Sequence, residues 1–226
     1  MKQENFAGSD FANRDFIRRT MYTADRKRQR NIMISLCAVM LVGFVVGSLV
    51  FVFFGRNDET AVQKTLCDYI ASSPFTFGES IQDALWSFLC RIFFDEKFLF
   101  FVFFGAYTIY ASVVSYALAL YKGFLCGFSA SVFTYALRFP ENINEHFGSY
   151  YLIFLAVMSL ASAALLLFCT KAICFSNQMR LCDEKMSVFI TSQPSITFFC
   201  EFLLFSVAYA VIALVETVGF AIVALL

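Results

Sequence analysis

The feature that most limits the fold is the stretch of residues 98–137, where Lys122 is the only charge in forty positions. As a single helix it would be about 60 Å long, at about 1.5 Å per residue, which is twice the bilayer's hydrocarbon thickness of about 30 Å. One straight helix of that length cannot stay buried in a membrane. The stretch therefore predicts a hairpin of two membrane-spanning helices turning at Tyr121, Lys122 and Gly123. The ammonium can there reach lipid headgroups, and the glycine relaxes the backbone.

The composition places the whole chain in a membrane. Of its 226 residues, 60% are hydrophobic, and the mean hydropathy is +0.71. A soluble domain of this length could not cover so much apolar surface. The formal net charge is zero, so whole-chain charge predicts no nucleic-acid partner. The predicted class is an all-α integral membrane protein.

The apolar runs predict five transmembrane helices in one polytopic domain, residues 32–226, which follows a basic tail over residues 1–31. By the positive-inside rule that tail lies in the cytoplasm. Residues 55–97 form a net acidic outer loop, whose second half has apolar residues at helical spacing. It predicts an amphipathic helix in the outer interface just before the second span, with the single tryptophan, Trp86, at interfacial depth. Residues 171–195 form an inner loop, in which Pro194 ends any helix that continues from the fourth span. The predicted spans are 32–54, 98–121, 123–139, 149–170 and 198–224.

Small residues mark the predicted contacts between helices. Glycines four positions apart let two helices approach closely within a membrane. The first span has one such pair, and the returning arm of the hairpin has a run of three small residues with the same spacing. The predicted packing positions are Gly43, Gly47, Gly105, Gly123, Gly127 and Ser131.

The sequence contains one segment that resembles a catalytic motif, but its partner residue is in the wrong place. Gly127, Ser129 and the residues between and after them resemble the G-x-S-x-G of intramembrane serine proteases. However, the only histidine, His146, falls in a predicted outer loop, whereas Ser129 is near the cytoplasmic end of its helix. The eight cysteines form no C-x-x-C pair, and no phosphate-binding loop is present. The sequence therefore predicts neither an enzyme, nor a metal site, nor a cofactor. Cys67 and Cys90 share the outer loop, and their spacing neither establishes nor excludes a disulfide between them.

Two carboxylates interrupt the last apolar run. Glu201 is expected at the cytoplasmic interface. Glu216 lies deeper, where burying a charged carboxylate costs free energy. An ionisable residue at such a depth is by default a candidate functional residue. Two interpretations stay open: a protonated or hydrogen-bonded glutamate that packs helices together, or part of an ion or proton route. The predicted spans offer no basic partner for it.

The segment around the predicted turn resembles a known family. The family motif K-G-x-x-x-G-F is matched by Lys122, Gly123, Gly127 and Phe128. The chain resembles the stage II sporulation protein M family of bacterial membrane proteins in these residues. It also resembles that family in the amphipathic segment before the second span and in the order of tail, first span and acidic loop.

The resemblance implies a function without catalysis. It would make the chain a multi-pass scaffold in a bacterial cell membrane, in contact with membrane lipid. It would recruit peptidoglycan hydrolases of the stage II sporulation protein D and P type during engulfment of the spore. The alternative is a permease-like component of a transporter, with Glu216 on the pathway of an ion or substrate.

Overall fold

The computed structural model describes residues 5–55, 81–136, 147–181 and 193–225, and these are helical except for a turn at residues 107–110. The predicted all-α class is confirmed for this part of the chain. The helices are α1 (Asn5–Gly55), α2 (Ile81–Ala106), α3 (Ala111–Ala136), α4 (Phe147–Leu181) and α5 (Gln193–Leu225).

Four of these helices are long and apolar enough to cross a membrane. The qualifying stretches are Arg26–Phe53, Ala111–Tyr135, Tyr151–Met179 and Ser195–Gly219, which belong to α1, α3, α4 and α5. The chain is thus a membrane protein. Helix α2 is different, because charged residues at positions 95–97 directly precede its apolar second half.

Contacts between neighbouring helices show how the helices run relative to one another. Helices α1 and α3 run parallel, since Gly43 of α1 lies beside Leu120 of α3 and Gly47 lies beside Phe124. Helix α4 runs antiparallel to α3, because Cys126 contacts Ser162 and the Cys169 thiol contacts the Ser115 carbonyl. Helix α5 runs antiparallel to α4, because the Tyr209 hydroxyl donates to the Ala161 carbonyl and Lys171 contacts Glu201. Residues 26–32 of α1, the turn at 107–110, the end of α4 and the beginning of α5 therefore share one end of the bundle.

The predicted hairpin turn at Tyr121, Lys122 and Gly123 is wrong. Helix α3 passes through these residues without a break, and the turn lies at residues 107–110. The predicted spans 98–121 and 123–139 are therefore displaced: α2 ends at Ala106 and α3 occupies 111–136. The physical reason is that Gly123 serves close helix packing rather than a turn.

Thr108 makes the actual turn. Its hydroxyl donates to the Gly105 carbonyl at 2.7 Å and accepts from the Tyr110 amide at 3.2 Å. A threonine hydroxyl that bonds to nearby backbone in this way offers the chain an alternative to the helix. Two further bonds attach the turn to neighbouring helices, one between the Tyr107 and Ser195 hydroxyls at 3.0 Å and one from the Ser176 hydroxyl to the Thr108 carbonyl at 3.0 Å.

The predicted inner loop 171–195 is shorter than expected. Helix α4 continues to Leu181, and α5 already begins at Gln193. Pro194 therefore lies in the first turn of α5, where its missing N–H has no helical partner to lose, rather than ending the preceding helix. The basic tail is also not a separate unit, because α1 begins at Asn5 and runs on into the first span. Most of the predicted outer loop lies outside the described residues.

Aromatic rings fill the core between α2, α4 and α5. Phe198 of α5 lies at the centre of this cluster, stacked on Phe175 with 4.3 Å between ring centroids and on Phe168 with 5.5 Å. Phe103 of α2 lies 5.7 Å from Phe198 and 4.5 Å from Phe202. In a membrane, where apolar burial alone gives no driving force, such dense packing is what holds helices together.

Candidate functional site

Four glycines form the closest helix contact in the described part of the chain, the glycine interface between α1 and α3. A Cβ atom built on Gly43 would overlap the Leu120 carbonyl oxygen, and one on Gly47 would overlap that of Phe124. In return, a Cβ atom on Gly123 would overlap the Met40 carbonyl oxygen. Both backbones therefore touch, and only glycine fits at these places.

Gly127 completes the glycine interface against the Phe44 backbone. The Ser48 hydroxyl of α1 donates to the Gly127 carbonyl at 3.2 Å. Sequence reasoning missed Ser48, although its position next to Gly47 is a signal, since small hydroxyl residues join glycines at close helix contacts. Ser131, one turn further along α3, is half-buried.

Gly105, which was predicted to pack helices, and Phe128, from the family motif, contact neighbouring side chains. A Cβ atom on Gly105 would meet the Val114 side chain at 3.0 Å, close to the turn between α2 and α3. Phe128 lies with its edge toward Phe51 of α1, at 5.7 Å between centroids. All four residues of the K-G-x-x-x-G-F motif thus lie on one unbroken helix, near its middle.

Lys122 lies inside the bundle and not at its surface. Its residue is 1% exposed, and its ammonium is 5.2 Å from the centroid of the Phe98 ring. Lys97 of α2 lies over the same ring at 5.5 Å. The electron-rich face of an aromatic ring attracts cations, which partly offsets the cost of removing the ammonium from water. The expectation that Lys122 reaches the headgroups from a turn is therefore wrong, and a basic residue does lie within a span.

Glu216 is also inside the bundle, with 3% of its surface exposed. It shares the buried face of α5 with Tyr209 and Ala213, each of them about one helical turn from the next. Tyr209 lies at the depth of Ala161, next to the Ser162 that contacts Cys126. Counting along the helices from these contacts, at about 1.5 Å per residue, Glu216 and Lys122 are separated by more than about 10 Å in depth. The structure does not bring these two ionisable groups together.

Glu201 forms an ion pair with Lys171. Its Oε1 is 2.6 Å from the Lys171 Nζ, and the two side chains are 30% and 49% exposed. Such a partly exposed pair contributes at most about 1 kcal/mol to stability. It joins α4 to α5 near Gln29 of α1.

The residues considered for catalysis and metal binding are only partly within the described part of the chain. Among them, no group of three or more His, Cys, Asp and Glu side chains is placed to hold a metal ion. Ser129 lies half-buried on α3. Its proposed partner His146 lies outside the described residues, as do Cys67 and the side chain of Cys90.

Comparisons with known proteins gave no relative. No protein family, curated protein or solved structure matches this chain.

Proposed function

We propose that this chain is a non-catalytic membrane scaffold of the stage II sporulation protein M type, which recruits peptidoglycan hydrolases in a bacterial cell membrane. The observation that supports it best is the position of the motif residues. Gly123 and Gly127 pack against the α1 backbone, Phe128 contacts Phe51, and Lys122 lies over Phe98. Each motif residue therefore serves helix packing, as a protein that acts by contact requires.

The proposal includes five spans, with α2 as the fifth. Helix α2 has 26 residues, or about 39 Å at about 1.5 Å per residue, which is enough to cross a bilayer. Glu96 and Lys97, which are half-buried, would then lie near the depth of Lys122. With the basic beginning of α1 in the cytoplasm, the loop at 56–80 would face outward, where peptidoglycan hydrolases act.

Affinity purification from detergent-solubilised membranes tests the scaffold. The tag is placed on the N-terminus, and co-purified proteins are identified by mass spectrometry. Extracytoplasmic peptidoglycan hydrolases should be recovered with the native chain, and recovery should fall for Gly123→Leu but not for the control Gly219→Ala. Recovery of a transport ATPase or permease subunit in place of hydrolases would contradict the proposal.

A transporter component is the second candidate, and the burial of Lys122 favours it. Ionisable residues inside transmembrane segments commonly mark the routes of ions or substrates. Here Lys122 and Glu216 are both buried at different depths of the same bundle. On this view Glu216→Gln should abolish ion flux in proteoliposomes while the protein still folds, with the lipid-exposed variant Phe101→Ala as a control. Undiminished flux in Glu216→Gln would remove this candidate.

A further inference from the structure

A polar cleft lies between α1, α4 and α5, at the end of the bundle that holds residues 26–32 of α1. It has a volume of about 410 Å³ and is separate from the glycine interface. Gln29 contributes from α1, Gln178 and Lys171 from α4, and Thr197 and Glu201 from α5. Three helices thus direct hydrogen-bonding groups into one space.

The cleft combines this polar lining with an aromatic wall. Phe175 and Phe198, which also line it, are the most closely stacked pair of the aromatic cluster. A ligand that fits such a lining has a hydrogen-bonding head and an apolar part. Gln29 lies just before the apolar stretch that begins near Ile32, so the cleft opens at the level of the lipid headgroups.

The exposed surface of α1 beside the cleft is basic. Four of the five residues at positions 26–30 are basic, and all five are exposed. Within the cleft, Glu201 accepts one hydrogen bond from Lys171, and an ammonium has three protons to donate. The remaining two can face a ligand, so the ion pair orients Lys171 without using up its donors.

We infer that this cleft binds the phosphate headgroup of an anionic phospholipid. The carboxamides of Gln29 and Gln178 and the Lys171 ammonium donate to the phosphodiester and glycerol oxygens. The basic segment of α1 supplies the attraction for an anionic leaflet, and the ring wall contacts the glycerol and first acyl carbons. The lipid would thereby hold the part of α1 around Gln29 against α4 and α5.

Native mass spectrometry of the detergent-purified full-length chain tests this inference. Dioctanoyl phosphatidylglycerol and dioctanoyl phosphatidylcholine are titrated against the native chain, the double variant Gln29→Leu/Gln178→Leu and the control Asn31→Leu. Asn31 is an exposed carboxamide on the same helix that does not line the cleft. We expect the double variant to bind phosphatidylglycerol about tenfold more weakly, since hydrogen bonds to a charged group are the strong ones, and the control to bind as the native chain does.

Two results would overturn the inference. One is equal phosphatidylglycerol affinity in the double variant and the native chain, or no preference over phosphatidylcholine. The other is displacement by free glycerol 3-phosphate at the same concentration as the lipid, which would make the ligand a soluble phosphate ester. If the double variant does not elute as a folded protein, Gln178→Leu alone is compared with Asn31→Leu, and a smaller loss confined to Gln178→Leu is the expected result.

Discussion

Gly123 of α3 lies directly against the backbone of Met40 of α1, so closely that a Cβ atom on the glycine would overlap the Met40 carbonyl oxygen. Gly127 and Phe44 repeat the relationship one turn further along both helices. Two parallel helices thus touch backbone to backbone along the glycine interface. This contact holds the first span against the third helix and sets the position of every motif residue on α3.

Replacing Gly123 or Gly127 by alanine should destabilise the protein. The added methyl group meets backbone, which cannot rotate away, so the helices must separate; overpacking of this kind costs about 1–3 kcal/mol. The free energy of unfolding, measured by titration with a denaturing detergent, should fall by this amount for each variant.

Gly219→Ala is the matched control for that experiment. A Cβ atom there meets only the Ile153 side chain, at 3.3 Å, and a side chain can adjust. Its stability should change by less than about 1 kcal/mol, since alanine also favours the helix. Equal losses in all three variants would show that the glycine interface has no special role.

The sequence predicted the class of the fold but misplaced its turn. The stretch of residues 98–137, with its single charge, and the other apolar runs correctly indicated a helical membrane protein. Lys122 and Gly123 then suggested a turn because charge and glycine are typical of turns. Nothing in their sequence separates a lysine at a headgroup from a lysine over a buried ring, because Phe98 is 24 positions away and meets it only after folding.

The candidate site was likewise predictable only in part from the sequence. The four-residue spacing of the glycines was visible in the sequence, but their pairing across α1 and α3 requires the parallel orientation of two helices separated by about sixty residues. The Lys171–Glu201 pair was hidden for the same reason, since its members are 30 positions apart. The turn at Thr108 left little signal, as it contains neither glycine nor proline.

The Phe98 ring and the Lys122 ammonium should be energetically coupled. A cation over an aromatic face at a site shielded from water contributes about 2 kcal/mol, against about 0.5 kcal/mol at an exposed site. We expect a double-mutant cycle of Phe98→Leu and Lys122→Met to give a favourable coupling energy within this range. A cycle on Phe98 and the exposed Val113 serves as the control. Coupling equal to that of the control would remove the cation–ring interaction from the account.

Phe198 should be the most sensitive position of the aromatic cluster. Its ring stacks on Phe175 and Phe168, so truncation leaves a cavity among rings that cannot collapse. Phe198→Ala should lower the free energy of unfolding by about 3 kcal/mol. Phe101→Ala, on a side chain that is 62% exposed, should change it by less than about 0.5 kcal/mol. Similar losses at both positions would contradict the assignment of the core.

The Lys171–Glu201 ion pair should contribute little to stability. Both side chains are partly exposed, so water and salt screen the attraction. A double-mutant cycle of Lys171→Met and Glu201→Gln should give a coupling of about 0.2–1 kcal/mol that decreases at high salt. A coupling of several kcal/mol, unaffected by salt, would mean that the pair is shielded from solvent.

The unbroken helix α3, with its motif residues inside the bundle, is tested most directly by chemical labelling. Ile109→Cys lies in the exposed turn, and Lys122→Cys lies in the buried middle of α3. Each is treated with a membrane-impermeant maleimide in sealed vesicles of both orientations, and labelling above the native background is read by mass. The account predicts labelling of Ile109→Cys from the same side as Arg28→Cys, and none of Lys122→Cys. Labelling of Lys122→Cys with protection of Ile109→Cys would restore the turn at residues 121–123 and contradict it.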